Sequence, residues 1–296
     1  MIKLIYTSIL YHVLADFSIG ILYFCKFMSV KKIFEKENIE YVSALTLSPG
    51  DIRRPDIAAR RGLAADDAKT AIVFLIPYYV DDKTAGNVSL YARSKDYHLY
   101  CEGLFERVEA ALTAEYGGVF IGFADKSPIE ETHAALEAGL AIRGDSYVII
   151  NEKYGSFVFI GEIITNVDAQ TLGFDGAKKE TVECHHCGAC RRACPMKDGR
   201  ECLSSVTQKK GELTEAEEKY IVENGCVWGC DICQTVCPLS KNVAETPIDF
   251  FRSDRIANID IKTLDDMSDE EFSRRAFSWR GKAPIRRNLL LFENNK

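Results

Sequence analysis

Apolar positions in the first half of the chain fall into two rhythms. "TAIVFLIPYY" (Thr70 to Tyr79) is a short continuous apolar run stopped near Pro77, which predicts a buried strand. "DYHLYCEGLFERVEAALTAEYGG" follows, with Leu99, Leu104, Phe105, Val108 and Leu112 at helical spacing and Gly117-Gly118 as a stop. "GVFIGFAD" predicts a second buried strand ending at Asp125. Ser127, Pro128 and Glu130 then read as the cap, first helical position and capping box of a helix. "YVIINEKYGSFVFIGEIIT" predicts two strands around a turn ending at Gly155. A polar connection leads into the second half. There Thr214 with Glu217, and Ser268 with Glu271, mark two further helix starts, and Gly225 ends the first of those helices.

The segment Leu4 to Phe27 is apolar and long enough to span a bilayer. Asp16 and His12 near its middle oppose a span, and no small-residue cleavage site supports a signal peptide. We expect residues 1–27 to be an over-extended start or a docked extra helix. Met28 then opens the folded chain, Ser29 caps its first helix, and no firm membrane partner is implied.

With 296 residues the chain can form two modest domains, and its apolar content suits a real core. The net charge of −7 argues against a surface that coats nucleic acid broadly, while leaving room for a local basic patch. Of eleven cysteines, only Cys25 and Cys101 lie outside the stretch from Cys184 to Cys237. Such crowding within a larger chain implies metal ligation in a reducing cytoplasm rather than a disulfide framework.

Cys184-x2-Cys187-x2-Cys190-x3-Cys194-Pro195 is the bacterial ferredoxin spacing, and Cys230-x2-Cys233-x3-Cys237-Pro238 supplies its second half. Paired x2 spacings also suit zinc. The longer run with its terminal Cys-Pro favours two [4Fe–4S] clusters. In the ferredoxin crossover the last cysteine of each run serves the other cluster. Cys184, Cys187, Cys190 and Cys237 then hold one cluster, and Cys194, Cys230 and Cys233 hold three corners of the other. Spacing alone leaves Cys202 and Cys226 as equal candidates for the fourth corner.

"SLYARSKDYH" (Ser89 to His98), "FADKSPIEETHAALEAGL" (Phe123 to Leu140) and "YGSFVFIGEIIT" (Tyr154 to Thr165), followed by the two cysteine runs, resemble the epoxyqueuosine reductase family over most of residues 45–250. The resemblance implies cobalamin and two [4Fe–4S] clusters, used to remove an epoxide oxygen from a modified tRNA base. It implies Asp125 as proton donor. It places Tyr91, Arg93, Asp96, Tyr97 and His98, with Tyr154, Gly155 and Ser156, near the cobalamin. It favours Cys202, in "ECLSSVTQKKG", as the eighth ligand over Cys226. It also implies cobalt without a protein histidine, so His98 reads as pocket-lining. His185 and His186 read as neighbours of the cluster rather than ligands.

The expected fold is α+β, with an α/β-like cobalamin-binding domain over 28–170, a ferredoxin-like two-cluster domain over 171–250 and a basic tail over 251–296. The chain resembles a short form without the family's C-terminal helical-repeat domain. Trp279, Arg280, Lys282, Arg286 and Arg287 mix one aromatic with four cations, a composition suited to tRNA backbone and base contacts. Lys126-Ser127 stands where the family has Thr-Gly, Thr132 where it has an arginine, and Gly144-Asp145-Ser146 where it has Gly-Lys-Asn. The cofactor machinery is therefore closer to the family than the substrate-facing parts. Two other readings remain: a reductase of a small organic substrate on the same core, and a two-cluster electron-transfer protein. Any of them needs a redox partner, and the electron donor is not legible in the residues.

Overall fold

A computed structural model describes residues 28–82, 84–196 and 201–294, so the expectations for residues 1–27 lie outside the described residues. The chain begins with helix α1 (Val30–Glu35), capped by Ser29, whose hydroxyl accepts the Lys32 N–H at 3.4 Å. Strand β1 (Val42–Thr46) leads to β2 (Thr70–Pro77), every residue of which is buried. Alternate β2 residues face opposite layers. Ile72, Phe74 and Ile76 pack with α1 and with Leu104, Val108 and Leu112 of α2 (Tyr97–Tyr116). Ala71, Val73 and Leu75 pack with Ala134, Ala135 and Leu136 of α3 (Glu131–Glu137). Helices on both faces explain why β2 reads as an uninterrupted apolar run rather than an alternating one.

Strand β3 (Phe120–Phe123) follows α2. Strands β4 (Ile142–Arg143) and β5 (Ile149–Ile150) pair with each other, and β6 (Val158–Thr165) joins the main sheet. That sheet has the order β1-β2-β6-β3, and every neighbouring pair is antiparallel. Here the α/β-like expectation is corrected. β2 and β3 run the same way with a helical crossover between them, but β6 returns later and slots between the two. The result is a split βαβ unit, and the domain is α+β. The expected two strands around the turn at Gly155 are β5 and β6, but they do not pair with each other: β5 pairs with β4, β6 pairs with β2 and β3, and an Asn151–Gly155 bridge joins the two sides of the turn.

The register places the C-terminal ends of β2 and β3 at the same edge of the sheet as the start of β6, since Pro77 opposes Val158 and Phe123 opposes Glu162. The cysteine segment docks at this edge. Gly155, at φ 58°, lets Ser240 approach so closely that a Cβ there would lie 2.9 Å from the Ser240 Cα. The Ser156 N–H donates to the Ser240 hydroxyl at 3.2 Å.

Within the cysteine segment run α4 (Ala189–Ala193), α5 (Leu203–Gln208), α6 (Glu215–Asn224) and α7 (Ile232–Thr235). Helix α6 carries the expected Thr214–Glu217 capping box and ends at left-handed Gly225. Of the segment read as a basic tail, the described residues instead carry further helices, the last α8 (Lys282–Asn294), and close a core. Trp228 and Val88 meet Leu264, Phe272, Phe277 and Ile285 there. The Trp228 ring is 1% exposed, and its Nε1 donates to the Tyr91 hydroxyl at 3.1 Å. Trp228→Ala is therefore expected to cost about 3–5 kcal/mol, as for buried aromatic truncations generally, read by denaturant unfolding of the cluster-loaded protein.

Candidate active site

Asp125 leaves β3 in the left-handed region, at φ 66°. A non-glycine residue held there is uncommon, and aspartate is among the few types that tolerate it. Its side chain is 60% exposed and faces α2. Helix α2 starts with Asp96 as cap, and the Asp96 carboxylate accepts the His98 N–H at 2.9 Å. The same carboxylate oxygen lies 2.8 Å from His98 Nδ1, while Asp125 Oδ2 lies 3.4 Å from His98 Nε2. Both ring nitrogens are engaged by carboxylates. The Tyr97 hydroxyl hydrogen-bonds Asp125, and the Tyr97 ring stacks on Phe159 of β6 at 4.1 Å between centroids.

These contacts set the charges. The hydrogen bond from His98 holds the Asp125 carboxyl below the usual carboxylate range, against the opposing effect of burial. The hydrogen bonds to Asp125 and then Asp96 raise His98 to about 10. Burial, helped by the Asp125 charge, pushes the Tyr97 phenol far up. At neutral pH the edge of the sheet therefore presents a protonated imidazole clamped between two carboxylates.

Ser127 does not cap a helix, contrary to expectation. Its hydroxyl bonds Glu162 of β6 and accepts the Ile129 N–H at 3.2 Å, and α3 starts only at Glu131 after Glu130. Glu162, buried, and Glu131, half-buried, are acids behind Asp125 that sequence reasoning missed. Glu162 had a signal: it is a lone acid in the apolar run "FVFIGEIIT".

The cysteines sort into two groups. Cys184, Cys187, Cys190 and Cys237 line one cavity of about 60 Å³, with Asp145, Ser146 and Ile150 on its wall. In the second group, burial and then the neighbouring thiols Cys230, Cys202 and Cys194, with a smaller effect from Cys190 of the first group, raise Cys233 to about 12. Cys226 instead hydrogen-bonds Cys230 and donates to the Asn224 carbonyl at 3.3 Å. Four thiolates around a single zinc at 2.3 Å would stand about 3.8 Å apart. Among the described residues, the one group of three or more such ligand atoms within 4.8 Å of each other is Asp145, Cys184 and His186. Cys184, Cys187, Cys190 and Cys237, which share a cavity yet stand wider than this, fit a polynuclear cluster better than mononuclear zinc.

A cleft of about 440 Å³ opens between the sheet edge and the cysteine segment, lined by Tyr79, Leu90, Arg93 and Phe157 on one side and Asp231, Thr235 and Ser240 on the other. A cofactor there would bridge the two halves. The residues expected near cobalamin are not all gathered in it. Arg93 lines the cleft, but its guanidinium is buried against Asp82 at 2.8 Å, and Asp82 also holds Arg255 at 2.7 Å. Tyr91 is turned inward to Trp228 and Gln208. Tyr154 packs beside Tyr41, 6.0 Å between ring centroids, and its hydroxyl donates to Glu40 at 3.4 Å. Gly155 and Ser156 hold Ser240. Asp96, Tyr97 and His98 surround Asp125.

Of the five residues expected to meet tRNA, Trp279 is 57% exposed, with the Arg280 guanidinium 3.8 Å from its ring centroid. The other three serve the fold: Lys282 donates to the Met267 carbonyl, Arg286 pairs with Asp265, and Arg287 donates to the Lys209 and Gly211 carbonyls. No helix among the described residues is long and apolar enough to cross a membrane.

Residues 60–125 match the family described as Epoxyqueuosine reductase QueG, DUF1730. An epoxyqueuosine reductase of Lactococcus garvieae is 30% identical over 253 residues, covering 77% of this chain and 69% of the relative. One of Leadbetterella byssophila is 35% identical over 187 residues, covering 58% and 59%. The chain thus spans little more than half the length of some curated relatives. The structure of epoxyqueuosine reductase from Streptococcus thermophilus superposes with a TM-score of 0.70 at 22% identity, covering 90% of this chain and 80% of that one. An epoxyqueuosine reductase with an epoxyqueuosine-modified tRNA-Tyr stem loop superposes with a TM-score of 0.68 at 22% identity, covering 88% and 80%. These likenesses carry the fold. Taken with the identity to the Lactococcus garvieae enzyme over most of both chains, they lead to one conclusion: this chain belongs to the epoxyqueuosine reductase family of oxidoreductases.

Proposed function

We propose that this protein reduces epoxyqueuosine to queuosine in tRNA, using two [4Fe–4S] clusters and a cobalamin in the cytoplasm. The observation that carries the reading is the protonated His98 clamped by Asp96 and Asp125 at the sheet edge against which two groups of four cysteines dock. Removing an epoxide oxygen to leave a double bond takes up two electrons and two protons and releases water. Cobalamin, when bound, supplies reduced-metal chemistry that side chains lack. Tyr79, Leu90 and Phe157 of the cleft would hold it. Cys184, Cys187, Cys190 and Cys237 would hold one cluster and Cys194, Cys202, Cys230 and Cys233 the other, the clusters supplying a route for electrons from a donor protein.

The side chains manage the proton. Asp125 shares the Nε2 proton of His98 at the open edge of the sheet, while Tyr97 fixes the Asp125 carboxylate. Oxygen leaving the substrate carbon needs that proton at the moment of departure, and a positioned acid typically contributes about a hundredfold to ten-thousandfold. Both His98 ring nitrogens face carboxylates, so His98 would serve as an acid beside the cofactor. Trp279 and Arg280 are the part of the C-terminal segment offered to RNA.

A cobalamin spectrum after anaerobic reconstitution separates this reading from a simple electron carrier. Nucleoside analysis of tRNA from a strain lacking the protein then tests the substrate. Accumulated epoxyqueuosine is the expected result. Unchanged queuosine would instead favour a small organic substrate, the reading that the replacements at Lys126, Ser127 and Thr132 support.

A further inference from the structure

Behind Asp125 the fold holds two carboxyl groups, one buried and one half-buried, that the chemistry above leaves unused. Glu162 sits mid-strand in β6, is 0% exposed, and faces Val73 and Phe123 in the neighbouring strands. Its Oε2 accepts the Ser127 hydroxyl, while its Oε1 is buried with no hydrogen-bond partner among the described residues. Glu131, at the start of α3, accepts the backbone N–H of Asp125, and its Oε1 is likewise buried without a partner among them. An ionised carboxylate in such surroundings leaves a charged acceptor unsatisfied, which is costly, whereas a protonated one does not.

We propose that Glu131 and Glu162 form a proton store behind Asp125, from which Glu131 returns a proton to the His98–Asp125 pair after each turnover. The use of the store rests on the reductase reading; its existence does not. In the return step the O–H bond of Glu131 breaks. The Asp125 carboxylate takes that proton, forming an O–H bond, and passes the same proton to His98 Nε2, the Asp125 O–H bond breaking as the N–H bond forms. Glu131 is left a carboxylate and is reprotonated from solvent on its partly exposed side. No electron moves.

The groups facing Glu131 are Asp125, His98 and Tyr97 toward the open edge and Glu162 toward the core. Burial, then the Asp125 charge, raises Glu131 to about 7, against the Asp125 N–H and the His98 charge. His98 stands at about 10, so the transfer runs downhill once His98 has given up its own proton. Burial holds Glu162 neutral far above the carboxylate range, against the Ser127 hydroxyl, so Glu131 can ionise without a second negative charge beneath it.

Infrared titration of the protein with carbon-13-labelled glutamate, clusters loaded and cobalamin and substrate withheld, tests the store directly. Two protonated-glutamate carbonyl bands are expected at slightly acid pH. One should fade near pH 7 and be missing in Glu131→Gln; the other should persist and be missing in Glu162→Gln. No protonated-glutamate band near neutrality in the unsubstituted protein would overturn the store, even if the protein proved inactive on tRNA. In the reconstituted enzyme, steady-state turnover should fall above about pH 7 while the single-turnover rate holds to higher pH. Glu131→Gln should abolish that difference in profile and lower steady-state turnover more than the single-turnover rate. Equal losses in both, with the profiles unchanged, would overturn the return of the proton and leave Glu131 a structural residue.

Discussion

Asp125→Asn is expected to slow substrate reduction by about a hundredfold to ten-thousandfold, the range typical of a lost acid–base group, with iron and cobalamin content unchanged. The argument rests on three contacts. Asp125 holds His98 Nε2 at 3.4 Å, accepts the Tyr97 hydroxyl, and through both keeps a proton at the open edge of the sheet. An amide keeps the shape but neither carries the charge that holds His98 protonated nor exchanges a proton. Asparagine also tolerates a positive φ, so the backbone at 66° is retained and the fold is not the variable tested. Helix α3 begins six residues later, so Asp125 is not its cap. The pH dependence carries a second signature. The raised pKa of His98 contributes stability that is fully present below its ordinary value of 6.5 and is lost as pH rises through about 10. In Asp125→Asn that loss should set in at lower pH, as thermal unfolding across the alkaline range would show. Turnover close to that of the unsubstituted enzyme, measured in single turnover with cofactors intact, would move the proton to Tyr97 or water.

Cys202→Ala is expected to lose one cluster or convert it to a three-iron form, whereas Cys226→Ala should keep about eight irons per chain, the content of two four-iron sites. Cys202 is among the thiols that converge on Cys233 together with Cys230 and Cys194. Cys226 touches Cys230 and a carbonyl at the end of α6, a place from which it reads as a neighbour of the cluster. Iron analysis with electron paramagnetic resonance on both variants decides between them. Loss of iron in Cys226→Ala with Cys202→Ala intact would exchange the two roles.

How much of this was legible beforehand depended on distance along the chain. The caps at Ser29, Thr214 and Ser268, the extent of β2 and the length of α2 follow from residues within a few positions of each other, and the structure keeps them. The two cysteine runs were legible for the same reason: a loop that wraps a cluster writes its ligands at short, fixed spacing. Where local rules misled, a partner from elsewhere had intervened. Ser127 had every local mark of a helix cap, but Glu162, 35 residues away, takes its hydroxyl. Arg93 lines the cleft as expected, but the sequence did not show that Asp82 holds its guanidinium and that Arg255 joins the pair from 173 residues beyond Asp82. The segment after residue 250 read as a basic tail by composition, yet its apolar residues close the core around Trp228.

The sequence by itself determined the elements and the spacing of the cysteine runs, because periodicity, capping and loop spacing act within one turn or one loop. Only the tertiary structure decided the strand order, the clamp on His98, the burial of Glu162 and the half-burial of Glu131 behind it. Sheet pairing sets those: slotting β6 between β2 and β3 brings Glu162 opposite Phe123, two residues before Asp125, and no local pattern encodes which strand lies beside which.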